Sequence, residues 1–149
     1  MSLRMSPEER EKFLADLHVG VLSISREGAP LCVPIWYDYE PGGNLQVITG
    51  ENSPKHRELP VGAVVSLCAQ SEEVPYRYVT VTARVVAVEP AQLERDLRPM
   101  AHRYLGEEFG DAYVAETGAD GQVKVILQPE GWRSEDFCGH GNKHRVENH

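Results

Sequence analysis

LQVITGENSPKHREL, residues Leu45 to Leu59, changes character halfway along. Leu45 to Thr49 is a strand-like run, Gly50-Glu51-Asn52 turns the chain, and Ser53-Pro54 opens a short helix. Ser53 is suited to the N-cap, where its hydroxyl accepts a backbone N–H two or three residues on. Pro54 fits the first helical position, where no N–H is needed. Lys55, His56 and Arg57 then occupy the first turn, where acidic side chains are usual. Backbone N–H groups, a hydroxyl and two fixed cations at a strand-to-helix turn form an anion site suited to phosphate. The same residues also satisfy a second reading, an ordinary capped helix with solvated basic side chains.

Outward from this stretch the chain reads as strands joined by short turns. Leu31 to Tyr39 alternates, with Leu31, Val33, Ile35, Tyr37 and Tyr39 on one face and Cys32, Pro34, Trp36 and Asp38 on the other. Pro41-Gly42-Gly43-Asn44 turns it into the Leu45 strand, and Val19 to Ser25 precedes it, which makes a three-stranded meander. Downstream, Ala63 to Gln70 is a fourth strand and Tyr76 to Val88 a long, bent fifth, with Tyr78, Thr80, Thr82 and Arg84 on one side. Val123 to Gln128 is the sixth, followed by Trp132 and a polar tail.

Two helices complete the pattern. Ser6-Pro7-Glu8-Glu9 is a capping box that opens a helix carrying Phe13, Leu14 and Leu17 on one face. Pro90 opens a second helix, with Leu93, Leu97, Met100, Ala101 and Tyr104 at helical spacing. Residues 106 to 121 are polar and irregular, with a helical turn near Ala112 to Glu116. Six strands, one long late helix and no βαβ alternation predict a mainly β fold, a closed or partly closed antiparallel barrel. One domain over residues 1–137 and a polar tail over 138–149 are expected.

Bulk properties narrow the function. The 149 residues suit one domain, and a net charge of −8 argues against a nucleic-acid surface. Cys32, Cys68 and Cys138 are odd in number and widely spaced, so no disulfide framework is implied. No apolar run is long enough to span a membrane, and a cytoplasmic location is the default expectation. Cys138, His140 and His144 carry donor chemistry suited to zinc or copper. Gly139, Gly141 and Asn142 disfavour the helix that would align them, and no upstream Cys-x-x-Cys exists, so the segment is read as tail with no metal.

The order of elements resembles the flavin-binding split-barrel family, which includes pyridoxamine 5′-phosphate oxidase and the oxidoreductases dependent on the deazaflavin coenzyme F420. The resemblance covers roughly Glu9 to Phe137. It rests on Phe13-Leu14 through Val19-Gly20-Val21-Leu22, Val33-Pro34-Ile35-Trp36 and Thr49-x-x-x-Ser53-x-Lys55, together with Pro75-Tyr76-Arg77-Tyr78-Val79-Thr80-Val81 and Arg103-Tyr104-Leu105-Gly106. It implies a six-stranded split barrel and a homodimer with two cofactor sites at the interface. By the same resemblance Ser53 and Lys55 would hold a cofactor phosphate with Arg57 nearby. Pro34, Ile35 and Trp36 would line the ring system, Thr49 would sit beside the ring or its ribityl chain, and Arg77 is a candidate polar contact. Pro54 stands where the phosphate oxidases carry an arginine, and Trp132-Arg133 only partly echoes their substrate segment; the compact barrel and the Tyr76-Arg77-Tyr78 run look more like the F420-dependent branch.

The cofactor expected is F420 or FMN, and the reaction hydride transfer to a small organic substrate. The residues single out no catalytic acid or base. A non-catalytic carrier or storage protein for the same cofactors is the alternative function.

Overall fold

The computed structural model describes residues 3–137. Helix α1 (Pro7–Ala15) is followed by strands β1 (Gly20–Ile24), β2 (Leu31–Ile35), β3 (Tyr37–Tyr39) and β4 (Leu45–Gly50). Then come the single turn α2 (Pro54–Arg57), β5 (Val64–Gln70), β6 (Arg77–Pro90), a π-helical turn (Leu93–Leu97), α3 (Arg98–Thr117) and β7 (Gln122–Asp136).

The strands form one antiparallel sheet in the order β2-β1-β5-β6-β7-β4-β3. Its two edges, β2 and β3, are consecutive in the chain and separated by Trp36 alone. One short ribbon therefore serves both edges, which curls the sheet into a barrel that is split where β2 passes into β3. There are seven strands rather than the expected six, because Leu31–Tyr39 divides at Trp36. The cause is a side chain on α3: the Tyr104 hydroxyl accepts the Tyr37 N–H at 3.1 Å and lies 2.6 Å from the His18 carbonyl, to which it donates. That contact satisfies a backbone donor that a continuous ladder would have used.

The alternation expected on either side of Trp36 holds. Ile35, Tyr37 and Tyr39 are buried with Leu22, Ile24, Leu45, Val47, Val65, Leu67, Val79, Val81, Val125 and Leu127 in the barrel core. Helix α1 plugs one end with Phe13 and Leu14, its start fixed by reciprocal 3.1 Å bonds between Ser6 and Glu9. Leu17, expected on that apolar face, lies beyond the helix end and is 57% exposed. At Gly20 an added Cβ would stand 3.0 Å from the Tyr37 ring and 3.2 Å from Leu67, so a side chain there would have to displace both by a few tenths of an ångström.

Three expected boundaries move. β6 continues through Pro90, and the helix predicted to open there begins as the π turn at Leu93 and becomes α-helical at Arg98. Residues 106–117, expected to be irregular, are helical: Gly106, at φ 80°, breaks the helix axis, and the chain then resumes the helix to Thr117. A single residue in that conformation redirects a helix without ending it. β7 runs to Asp136 instead of stopping at Gln128, because Val86 and Glu130 are each left out of the β6–β7 ladder as bulges. The second bulge takes up Pro129, which otherwise reads as a strand stop.

Among the described residues no helix is long and apolar enough to cross a membrane, and no cluster of His, Cys, Asp or Glu has metal-binding geometry. The tail with Cys138, His140 and His144 lies outside the described residues.

Candidate functional site

Where β2 gives way to β3, the barrel wall opens into a groove of about 380 Å³ lined by Val19, Pro34, Ile35, Trp36, Ile48, Lys55 and Tyr113. That size falls within the range of about 300–1,000 Å³ usual for small-molecule sites. Four residues named from sequence, Pro34, Ile35, Trp36 and Lys55, meet here from segments twenty residues apart.

The β2 contribution is apolar and rigid. Pro34 is exposed, Ile35 is buried, and Trp36 is partly buried against α3. The indole lies parallel to the Tyr104 ring, 5.1 Å between centroids and 5° between planes, and meets Tyr113 at 5.4 Å and 55°. Tyr104 thus covers one indole face while its hydroxyl ties the His18 and Tyr37 backbones together. One side chain closes the split structurally and fixes the angle at which Trp36 borders the groove.

The cationic contribution comes from α2. Ser53 is its N-cap, with its Oγ accepting the Lys55 N–H at 3.2 Å, and Pro54 takes the first helical position. The cap expected from sequence is present, but α2 is a single turn of four residues, too short for a macrodipole of consequence. Lys55 is therefore the polar contribution of α2 to the groove lining, while Ser53 caps the turn from outside that lining. Among the described residues Lys55 forms no ion pair with an acidic side chain.

The other named residues stand elsewhere. Strand alternation puts Thr49 on the barrel side of β4 with Leu45 and Val47, opposite Ile48, and its buried Oγ1 has no hydrogen-bond partner among the described residues. Arg57 is exposed at the end of α2 and does not line the groove. Arg77, at the start of β6, places its guanidinium 5.0 Å over the Phe13 ring, away from the groove.

The groove also contains residues that local patterns did not single out: Val19, Ile48 and Tyr113. Tyr113 falls in the helical turn expected near Ala112 to Glu116, but no local pattern shows that this turn reaches the groove. Ile48 alternates with the buried Val47 and Thr49 on β4 and so faces outward into the groove.

Next to the groove, sharing Ile48, a polar cavity of about 200 Å³ is lined by Asp38, Gln46, Arg95, Asp96, Pro99, Met100 and Arg103. Asp96 is buried and receives Lys124 Nζ at 3.0 Å, Arg95 at 3.1 Å and the Gln92 N–H at 2.8 Å. Burial alone would raise its pKa; the bonds from Arg95, the Gln92 N–H and Lys124 outweigh it and hold the carboxyl at about 2. This buried pair fastens the π turn to β7 and so sets where α3 starts.

The comparisons agree with this architecture. The chain has the fold of an F420 reductase (19% identity, TM-score 0.67, 83% of this chain and 94% of that one). The same holds for a conserved hypothetical protein of Mycobacterium tuberculosis (22%, 0.72, 92% and 88%). A protein of Mycobacterium smegmatis described as binding FAD and heme is similar as well (16%, 0.64, 91% and 73%). None of the curated proteins is similar to the chain in sequence at a significant level. The family model described as pyridoxamine 5′-phosphate oxidase matches residues 6–135, from the capping box of α1 to the end of β7. A split antiparallel barrel matched over that whole span places the chain in the pyridoxamine 5′-phosphate oxidase family.

Proposed function

We propose that the chain is an oxidoreductase that holds F420 or FMN in the Pro34–Trp36 groove, as a homodimer, and reduces a small organic substrate. The observation that carries this reading is the presence of Lys55 in the same groove wall as Pro34, Ile35 and Trp36. A phosphorylated planar cofactor needs that combination: a cation with a hydroxyl at one end and a flat apolar wall beside it. Ser53 and Lys55 would hold the phosphate; Val19, Pro34, Ile35 and Ile48 would border the ring and exclude water from one side. Such a cofactor supplies hydride transfer when bound. The chain's own contribution is orientation and desolvation.

The homodimer is supported by the outer face of β2, β1 and β5. Val21 is 38% exposed and pairs across the sheet with Pro34 and Cys68, while Ser23 pairs with Cys32 and Ser66. The strip carries no charge, and Pro34 belongs both to it and to the groove, so a second copy seated there would extend the groove wall.

The test is a parallel fluorescence titration of the protein with FMN and with F420, with light scattering to give the mass in solution. Saturable binding of one cofactor and a dimer mass are expected. Binding of neither would overturn the cofactor reading, and a monomer mass would overturn the assembly. Turnover of the bound cofactor with electron acceptors separates the oxidoreductase from a carrier.

A further inference from the structure

Helix α3 consists of two halves that meet at Gly106, whose φ of 80° and ψ of 176° lie outside any helix. The first half is held firmly. Tyr104 bonds the His18 and Tyr37 backbones, Arg103 donates to the Ala15 and Asp16 carbonyls at 3.1 Å each, and Met100 and Ala101 are buried.

The second half, residues 107–117, has little to hold it by comparison. Only Gly110 and Val114 are buried, Val114 within a small cluster with Leu97 and Ala101. Its polar attachment to the first half is Asp111, whose Oδ1 accepts from Arg98 at 2.6 Å and lies 2.6 Å from His102 Nε2. Arg98 is itself bound by Glu94 from the π turn, at 2.8 and 3.0 Å. Two residues on from Asp111, Tyr113 lines the groove and meets Trp36.

From this geometry we infer that Tyr113 is a ligand-contacting, affinity-determining residue of the groove and that Asp111 is its positioning residue. The inference rests on the groove being the cofactor site. Glycine at 106 leaves the half-helix free to swing about one residue, so its resting angle is set by the Arg98–Asp111–His102 clasp. With the clasp closed, Tyr113 lines the groove beside Trp36 and adds an aromatic wall to it. With the clasp open, that wall has no fixed position, and a planar ligand loses contact area and leaves faster. Gly110 tightens the arrangement: an added Cβ would stand 2.7 Å from the His102 ring, so the halves are already in close contact at that point.

The test uses the full chain and whichever of FMN or F420 the wild type binds. Tyr113→Ala is expected to weaken binding roughly tenfold, and Tyr113→Phe to restore it, because the aromatic ring and not the hydroxyl makes the contact. Asp111→Asn is expected to weaken binding several-fold through faster dissociation. The decisive measurement is the double variant. If Asp111 acts through Tyr113, adding Asp111→Asn to Tyr113→Ala causes no further loss. Losses that multiply would overturn the positioning role, and unchanged affinity in Tyr113→Ala would overturn the contact. Melting curves check that each variant is folded; both positions are partly exposed, so both variants are expected to fold. A wild type that binds neither cofactor refutes the cofactor reading and this inference together. A wild type that binds, with Tyr113→Ala and Asp111→Asn unaltered, refutes this inference alone.

Discussion

Replacing Asp96 by asparagine keeps the shape of the side chain and removes its charge, as protonation does. The Asp96 carboxyl is held at about 2 against an ordinary 3.8, a difference of 3.8 − 2 = 1.8 units. At ~1.36 kcal/mol per unit this corresponds to about 2–3 kcal/mol of folding stability. The Asp96 and Lys124 side chains are only 4% and 10% exposed, but Arg95, which contributes most to holding the carboxyl down, is 50% exposed, so solvent screening makes this figure an upper bound. The sign follows from the depressed pKa: the contribution is complete above the unfolded value of 3.8 and is lost as pH falls toward 2. Asp96→Asn should therefore lower Tm at pH 7 by about 5–10 °C, using ~2–4 °C per kcal/mol for a chain of this size. Asp96→Ala strands the Lys124 ammonium and should cost more, about 3–5 kcal/mol, part of which Lys124→Met in the same chain recovers. The assay is thermal unfolding by circular dichroism at pH 7 and again near pH 2.5. A fall below about 2 °C for Asp96→Asn at pH 7, or a fall just as large at the acidic pH, would refute the reasoning.

Lys55→Ala should raise the dissociation constant of the bound phosphorylated cofactor about 10- to 150-fold, the worth of one charge-assisted bond of roughly 1.5–3 kcal/mol. An unchanged constant in the titration would remove Lys55 from the site. Tyr104→Phe keeps the ring on Trp36 but leaves the Tyr37 N–H and the His18 carbonyl without their partner; a loss of about 1–3 kcal/mol in urea unfolding is expected. Gly110→Ala should cost about 1–3 kcal/mol, because its Cβ meets the His102 ring at 2.7 Å and the Ala101–His102 backbone at 3.0 Å. A melting temperature equal to that of the wild type would show that the two halves of α3 separate easily.

Much of the barrel was legible locally. The alternation of Leu31 to Tyr39, the Ser6–Glu9 capping box and the Ser53–Pro54 helix start each state their structure within a few residues, and each is found as read. The groove was half legible. Pro34, Ile35, Trp36 and Lys55, all named from sequence, line the groove, whereas Thr49 faces the barrel and Arg77 stacks on Phe13. The resemblance located the segments, but the face on which a side chain emerges was decided by pleat and register.

Local patterning determined which segments are strands, where α1 and α2 begin and the alternating apolar face of Leu31 to Tyr39, because periodicity and capping act over a few residues. Three features needed the folded chain. The division of the strand at Trp36 depends on a hydroxyl 67 residues away on Tyr104. The length of β7 past Pro129 depends on bulges against β6, and the helix beyond Gly106 depends on Asp111, Gly110 and Val114 finding Arg98, His102 and Leu97. Each is a contact between segments that no local pattern encodes. Together they bring Trp36 and Tyr113 to one groove, so the sequence alone named Pro34, Ile35, Trp36 and Lys55, and tertiary packing added Tyr113 and Ile48 beside them.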